Sequence, residues 1–518
     1  MEEVERYYRN LYTRVQETAQ IRKAREHVLQ LLTSRVTQEE DATLHQVPTE
    51  EEVEEVVHDL RKEKSPGLES VVAEVLQACL SFVKKDCIDM VIDFWEKGAL
   101  TEKNRTAVVK LLPKNSKSQW LKNWRPLSLM HLSYKILAKI MANRFKKQMP
   151  KLVDDMQTCF IHGRSIANNL LNIRLGDDWA RISDQDCFFL QLDFVKAYDR
   201  VEHQFLWQTM HAMGFSGRTI KLVKGLAQGG YAKVHVNEDF TRNIPIQRGV
   251  RQGCPLAPYL FTLTTQALMD SIREGMNRGS ITGIQIKPDR QLVHRLFADD
   301  TGFCLQMNEE HFREVREKIA QFELASGALL NVQKFVISPM RDEDPPQWLE
   351  TTWCTVAAPG ERFKYLGLLS GRGIQAEEYT AHVKLEYEKK LKHWSLRILS
   401  WLERLIIIRD FLWGWDQEGK AKKSLLAWDI LGESKEADGL GCGSLEATAD
   451  AYLVQNLQQI FHEDRDIWVE ILSQIVIERV QTSQKDREIQ DWSPQEVLIC
   501  IKTLKTPRSN LAKRMIKA

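Results

Sequence analysis

Apolar residues recur at helical spacing along much of this chain, and in a few short central runs they alternate with polar ones. Thr49 followed by Glu52 has the form of a capping box, and Val53, Val56, Val57 and Leu60 continue it at helical spacing until Lys64, Ser65, Pro66 and Gly67 stop the run. The spacing predicts further helices from Pro258 to Glu274 and through Phe312, Val315, Ile319 and Phe322, the latter closed by Gly327. Residues 188–193, Phe-Phe-Leu-Gln-Leu-Asp, read as a strand with Leu190 and Leu192 on one face and Gln191 and Asp193 on the other. After Asp199 the pattern turns helical through Phe205, Leu206 and Met210. Leu292 to Phe297 and Gly302 to Leu305 form the arms of a predicted hairpin whose bend carries Ala298, Asp299 and Asp300. There is no internal repeat, and strands alternating with more numerous helices predict an α+β fold.

Composition adds bounds. With 518 residues and 43% hydrophobic content the chain can bury several cores, in roughly two to four domains. Lys plus Arg 72 against Asp plus Glu 71 leaves a net charge of +1, so any attraction for a polyanion must be local. One stretch stands out: from Lys103 to Lys151 there are thirteen basic residues and no acid, with Trp120, Trp124 and Tyr134 interleaved. A short run of that kind is usually a solvated helix face; over this length it reads as a contact for phosphates or a nucleic-acid backbone. The start, MEEVERYYRN, has neither signal-peptide nor transit-peptide character, and no apolar run approaches the ~18 residues of a membrane span. Nine scattered cysteines without a C-x-x-C pair argue against a zinc site or disulfide framework, so the expected setting is a reducing, intracellular one, nucleus and cytoplasm both open.

Candidate chemistry centres on carboxylates. Asp299 and Asp300 repel each other at a bend where packing gives them nothing, so something positive should compensate them. An adjacent Asp pair standing alone would be ordinary turn chemistry. Here Asp193 ends an apolar strand upstream and can bring a third carboxylate to the same sheet edge, the arrangement by which two Mg²⁺ ions clamp an in-line phosphoryl displacement. Between them, residues 247–258 form a glycine-bearing loop that permits close backbone approach, and Pro258 can open a helix.

LDFVKAYDRV, GVRQGCPLAPYLF and FADD resemble the three palm motifs of reverse transcriptases, in that family's order. AVVKLLPK, NWRPLSLMHLSYKILAKIMANR and QTCFIHGRSIANN are similar to its fingers motifs, while GALLNVQKFVISPM and FKYLGLLSG resemble the segments after the catalytic hairpin. The wording is closest to long interspersed elements, retrotransposons without long terminal repeats, over roughly residues 50 to 450. The resemblance implies a right-hand polymerase, helix-rich with a central antiparallel palm sheet. It divides the chain into a helical N-terminal extension and start of the fingers (1–100), fingers with the basic patch (101–185), palm (186–370), abbreviated thumb (371–450) and helical tail (451–518). It also implies RNA-directed DNA synthesis with two Mg²⁺ ions, Mn²⁺ as a substitute, on an RNA template with a DNA primer and deoxynucleoside triphosphates.

Carried over by position, Asp193, Asp299 and Asp300 would bind the metals, and Lys334 would protonate the departing pyrophosphate. Lys114 and Arg125 would hold phosphates, the backbone near Phe194 would touch the triphosphate, Tyr198 would face the nucleotide sugar and exclude a 2′-hydroxyl, and Gln252 with Gly253 would lie beside that sugar. Asp199 is expected to cap the following helix or pair with a cation.

The pattern breaks in places. Leu68, Glu69 and Ser70 replace the family's turn with its glycine, and Cys159 and His162 stand for a usual Gly and Pro. WSLRILSWLERLIII runs directly into RDFLWGW at the Ile408 to Arg409 junction, where thumb residues are missing by comparison with the family, so weak processivity or none is expected. The chain starts too close to the fingers for the usual endonuclease, and no ribonuclease H carboxylate set follows. Trp413, Trp415 and Trp428 read as core residues, and the basic stretch Lys502 to Lys517 as a solvated tail. The rival reading is a catalytically impaired, element-derived nucleic-acid-binding protein; a metal-dependent nuclease is a third.

Overall fold

A computed structural model describes residues 1–114, 119–340, 345–350, 355–357 and 363–370, with isolated positions at 361, 378, 381–382, 385, 467 and 470–471. The expectations for the thumb, the Ile408 to Arg409 junction, the three tryptophans and the basic tail lie outside the described residues.

The sheet that carries the candidate carboxylates runs, in spatial order, Thr355–Val356, Val336–Pro339, Cys187–Leu192, Asp300–Gln306, His294–Phe297. Its neighbours are antiparallel except the short outer pair, where Thr355–Val356 runs parallel to Val336–Pro339. The expected one-sided burial of the central strand is corrected. Phe188, Leu190 and Leu192 face the main core, while Cys187 and Phe189 face a second cluster with Trp179 and Tyr365. A strand covered on both sides withdraws both sets of side chains from water. Phe189 meets Tyr365 edge-on at 5.2 Å.

A second five-stranded sheet has Gly230–Val236 at its centre. It pairs with Ala107–Pro113 in parallel and with Asp239–Phe240 and Ile244–Ile246 antiparallel, and Trp124–Leu129 completes the sheet beside Ala107–Pro113. In the hairpin of Ala107–Pro113 and Trp124–Leu129, Leu112 lies opposite Arg125. Two 21-residue helices, Leu132–Leu152 and Ala257–Asn277, run through the main core, the second with Pro258 in its first turn, where a missing N–H costs nothing. Among the described residues no helix is long and apolar enough to cross a membrane, and the cysteines are free.

The capping box at Thr49 is only half made. The Thr49 hydroxyl accepts the Glu52 N–H at 3.2 Å, but the Glu52 carboxylate is taken by Arg144, through Nε at 2.9 Å and Nη2 at 2.6 Å. A forked guanidinium outcompetes a neutral backbone N–H for a carboxylate. The reciprocal box sits one helix earlier, between Thr37 and Glu40. Arg144 also donates to the Leu44 and Gln46 carbonyls and lies over the Trp95 ring at 5.5 Å. Arg144→Met is therefore expected to cost about 3 kcal/mol in urea unfolding, with Arg144→Lys recovering less than half because an ammonium cannot fork.

The same geometry narrows the reading of the basic stretch. Lys139 pairs with Asp59, Lys151 with Glu40 and Arg144 with Glu52, so acids of the N-terminal helices neutralise much of Leu132–Leu152. Part of the predicted polyanion contact is thus an internal ion-pair seam. The cations that do face a cavity are Lys114 and Arg125.

Candidate active site

Strand pairing assembles the carboxylates. Thr301 lies opposite Leu192, so Asp193, one residue past Leu192, and Asp299 and Asp300, just before Thr301, reach the same sheet edge. Asp193 Oδ2 accepts from Lys334 Nζ at 2.8 Å and from Asn331 Nδ2 at 3.1 Å. Asn331 is itself fixed, because its backbone N–H donates to the Asp193 carbonyl at 2.8 Å. Lys334 closes the short 3-10 turn Val332–Lys334.

Burial, with the charges of Asp299 and Asp193 added, pushes the Asp300 carboxyl up to about 6, and burial also raises Asp299. Carboxylates that raise one another mark a place that favours a cation. The donors are hard oxygens with no sulfur or imidazole among them, which suits Mg²⁺ or Mn²⁺. Among the described residues they do not form a ready three-ligand cluster, and Asp193 is engaged by Lys334 and Asn331.

One cavity of about 510 Å³ is lined by all ten residues singled out from the sequence: Asp193, Asp299, Asp300 and Lys334, together with Lys114, Arg125, Phe194, Tyr198, Gln252 and Gly253. Tyr198 stacks on Phe261 with ring centres 4.7 Å apart and planes 14° apart. The Phe194 ring is turned into the core against Phe322 at 6.3 Å. Gly253 stands at φ 102°, and a Cβ there would come within 2.8 Å of the Ser128 carbonyl oxygen, so glycine is required on both counts.

Asp199 caps nothing: the next helix, His203–Ala212, has Glu202 at its N-cap. Asp199 is buried, and its Oδ2 accepts the Gln252 amide at 3.2 Å. The cation acting on it is Lys196, whose ammonium donates to the Trp124 carbonyl; burial raises the Asp199 carboxyl and lowers the Lys196 ammonium. Gln252 is thus oriented from behind by Asp199, while its carbonyl accepts the Ser128 N–H at 2.8 Å.

Lys196 and Phe160 also line the cavity and were not singled out from sequence. Lys196 sits inside LDFVKAYDRV, but its left-handed backbone, φ 52°, carried no sequence signal. The departures from the family wording are absorbed locally. Ser70 occupies φ 58°, the region that favours glycine, and the neighbouring Glu69 caps Leu132–Leu152 by accepting the Leu132 N–H at 2.8 Å, with His131 3.0 Å from its other oxygen. Cys159 is buried, with its thiol pushed up to about 12 by burial and by the charge of Asp299, whereas His162 is exposed.

Behind the Gln252 loop, His203 Nε2 lies 2.9 Å from the Gly249 carbonyl, its Nδ1 is buried without a partner, and burial lowers its pKa to about 4. An unfolded histidine titrates near ~6.5, so between those values the unfolded chain takes up a proton that the folded one refuses. Stability from this group is full above ~6.5 and is lost as pH falls toward about 4. A loss on the order of 2 kcal/mol is expected across that window in urea titrations, and His203→Gln should flatten the slope.

Residues 112–369 match the family described as reverse transcriptase (RNA-dependent DNA polymerase). The chain carries a reverse transcriptase domain, of the kind found in retrotransposons without long terminal repeats. It is 30% identical, over 70% of its length, to the Transposon TX1 uncharacterized 149 kDa protein of Xenopus laevis, and covers 28% of that protein. It is 26% identical, over 44% of its length, to the Retrovirus-related Pol polyprotein from type-1 retrotransposable element R2 of Popillia japonica, covering 31% of it. The chain therefore spans less than a third of these curated relatives. A solved apo telomerase from Candida Tropicalis overlaps 53% of this chain and 54% of its own at 12% identity, with a TM-score of 0.36.

Proposed function

We propose that this chain is an RNA-directed DNA polymerase that adds deoxynucleotides to a DNA primer on an RNA template. The reading rests on one observation above the rest: ten residues drawn from separate motifs between Lys114 and Lys334 line a single cavity. In this reading residues 101–185 are the fingers and 186–370 the palm.

Asp193, Asp299 and Asp300 are the residues that would hold two Mg²⁺ ions. Bound there, the ions would supply Lewis-acid chemistry, lowering the pKa of a primer 3′-hydroxyl and neutralising the charge on a leaving pyrophosphate. Lys114 and Arg125, both near the end of the fingers hairpin and both lining the cavity, bind the triphosphate and orient it. Tyr198, held flat by Phe261, occupies the space a ribose 2′-hydroxyl would need. Gln252 and Gly253 keep the backbone low beside the sugar. Lys334, paired with Asp193 here, is the proton donor to pyrophosphate once the carboxylate is engaged elsewhere.

Primer extension on an RNA template with Mg²⁺ or Mn²⁺ tests the reading, with Asp299→Ala as the comparison. Extension by the wild type alone supports it. If neither protein extends but both retard primer and template in a gel, the chain is a binding protein. Products shorter than the input strand identify a nuclease.

A further inference from the structure

Next to two of the lining residues, Asp299 and Phe160, lies a device that no role above accounts for. Ala298, the residue before Asp299, sits at φ 58°, a left-handed conformation that costs a side-chain-bearing residue about 1 kcal/mol and persists only where its surroundings impose it. Its backbone N–H, at the inside of the bend, donates to Gln157 Oε1 at 3.2 Å. The same oxygen accepts the Cys159 N–H at 3.0 Å. Cys159 precedes Phe160, which is also left-handed at φ 64° and lines the cavity together with Asp299.

Gln157 is built to be immobile. It is 2% exposed, and its segment lies along the strand that leads into the bend, with Thr158 N–H on the Leu296 carbonyl at 3.1 Å and Leu296 N–H on the Met156 carbonyl at 3.1 Å. The Gln157 carbonyl is held by Arg164 Nη1 at 2.8 Å, and Asn169 Nδ2 reaches the Leu296 carbonyl at 2.8 Å. Both partners of the side chain are N–H groups, so the oxygen must face them, and its Nε2 is buried without a partner. Leaving the buried side-chain NH2 unpaired costs free energy, which the two bonds accepted by the oxygen offset in part.

We infer that Gln157 is a positioning residue: one carbonyl oxygen fixes both the bend that presents Asp299 and the turn that presents Phe160, and so sets where these two lining residues stand relative to one another. The inference rests on the polymerase reading for its catalytic consequence, but not for its geometry. Without that acceptor the Ala298 N–H is an orphan, the bend relaxes toward ordinary φ, and Asp299 moves with it. A displacement of about 1 Å at such a site costs on the order of 10- to 100-fold in rate.

The test is Gln157→Met, which keeps length and loses the acceptor, against Gln157→Asn, which keeps the amide and shortens its reach. Amide hydrogen exchange of the full chain without nucleotide is expected to speed at Ala298 and Cys159 together in the Met variant, while core strand amides such as Leu190 stay protected. The Asn variant is expected to free Ala298 at least, and it serves should the Met variant fail to fold. In primer extension kcat per folded molecule, with the folded fraction read from the protection of core strand amides such as Leu190, is expected to fall at least 10-fold with the nucleotide KM changed less than threefold; that normalisation separates the effect from a general loss of folded protein, which lowers only the apparent kcat. Unchanged exchange at Ala298 overturns the inference, and so does loosened exchange with an unaltered kcat. If the wild type makes no product, the polymerase reading fails, and exchange still decides whether Gln157 holds the bend.

Discussion

Asp299→Ala is expected to lower primer extension by on the order of 1000-fold or more while leaving the protein folded and able to bind primer and template. Asp299 stands at a bend, half-buried beside Asp300 and with Asp193 close enough to raise it, so its carboxylate contributes repulsion rather than packing. Removing it relieves that repulsion. The unfolding free energy from urea titration should therefore stay level or rise slightly, by up to about 1 kcal/mol, the opposite of what a core truncation does. The Asp300 carboxyl, now pushed up to about 6, should move back down, which a carbon-detected titration of the two proteins reads directly. Substantial extension by the mutant would sink the assignment of Asp299; a large drop in midpoint would show that the carboxylate is structural.

The second large effect is on sugar selection. Tyr198→Ala is expected to reduce the preference for deoxynucleotides over ribonucleotides by about 100-fold, mostly through better use of the ribonucleotide. The ring lies parallel to Phe261 at 4.7 Å and lines the cavity, so it cannot swing aside without losing that stack. Burial holds its phenol well above the usual tyrosine range, so the ring stays neutral at any working pH. Tyr198→Phe keeps the bulk and should retain the preference, because exclusion comes from the ring and not from its hydroxyl. Competition between the paired nucleotides on one template measures the ratio. If the Ala variant loses activity equally on both sugars, Tyr198 is a packing residue for Phe261 and the exclusion must come from elsewhere.

Much of the candidate site was legible because the chemistry proposed for it demands particular residue types in a particular chain order. Asp193, Asp299 and Asp300 could be paired on paper because one ends an apolar strand and the others occupy a hairpin bend. The hairpin, the helix beginning near Pro258 and the helix closed by Gly327 were readable for a related reason: each is specified by local pattern and turn chemistry. The central strand was harder. Its alternation hid a second buried face, because the cluster that covers Phe189 includes Trp179 and Tyr365, from distant parts of the chain. The basic stretch was harder still, since the acids that neutralise Lys139, Arg144 and Lys151 belong to helices roughly ninety or more positions upstream in two of the three cases and nearly as far in the third.

By itself the sequence determined which groups are available for chemistry and in what order, and with them the family: carboxylates at strand ends, cations in the fingers wording, an aromatic after the first carboxylate and a glycine where the backbone must pass close. Those are properties of residue identity and local conformation, and they survive without knowing what touches what. The tertiary structure alone decided which charges are spent on each other, that Asp199 orients Gln252 instead of capping a helix, that Ser70 and Ala298 stand in left-handed backbone, and that one Gln157 oxygen accepts from both Ala298 and Cys159. Each depends on strand register and on packing between segments far apart in sequence, and a hydrogen bond of 3 Å has no counterpart in a linear pattern.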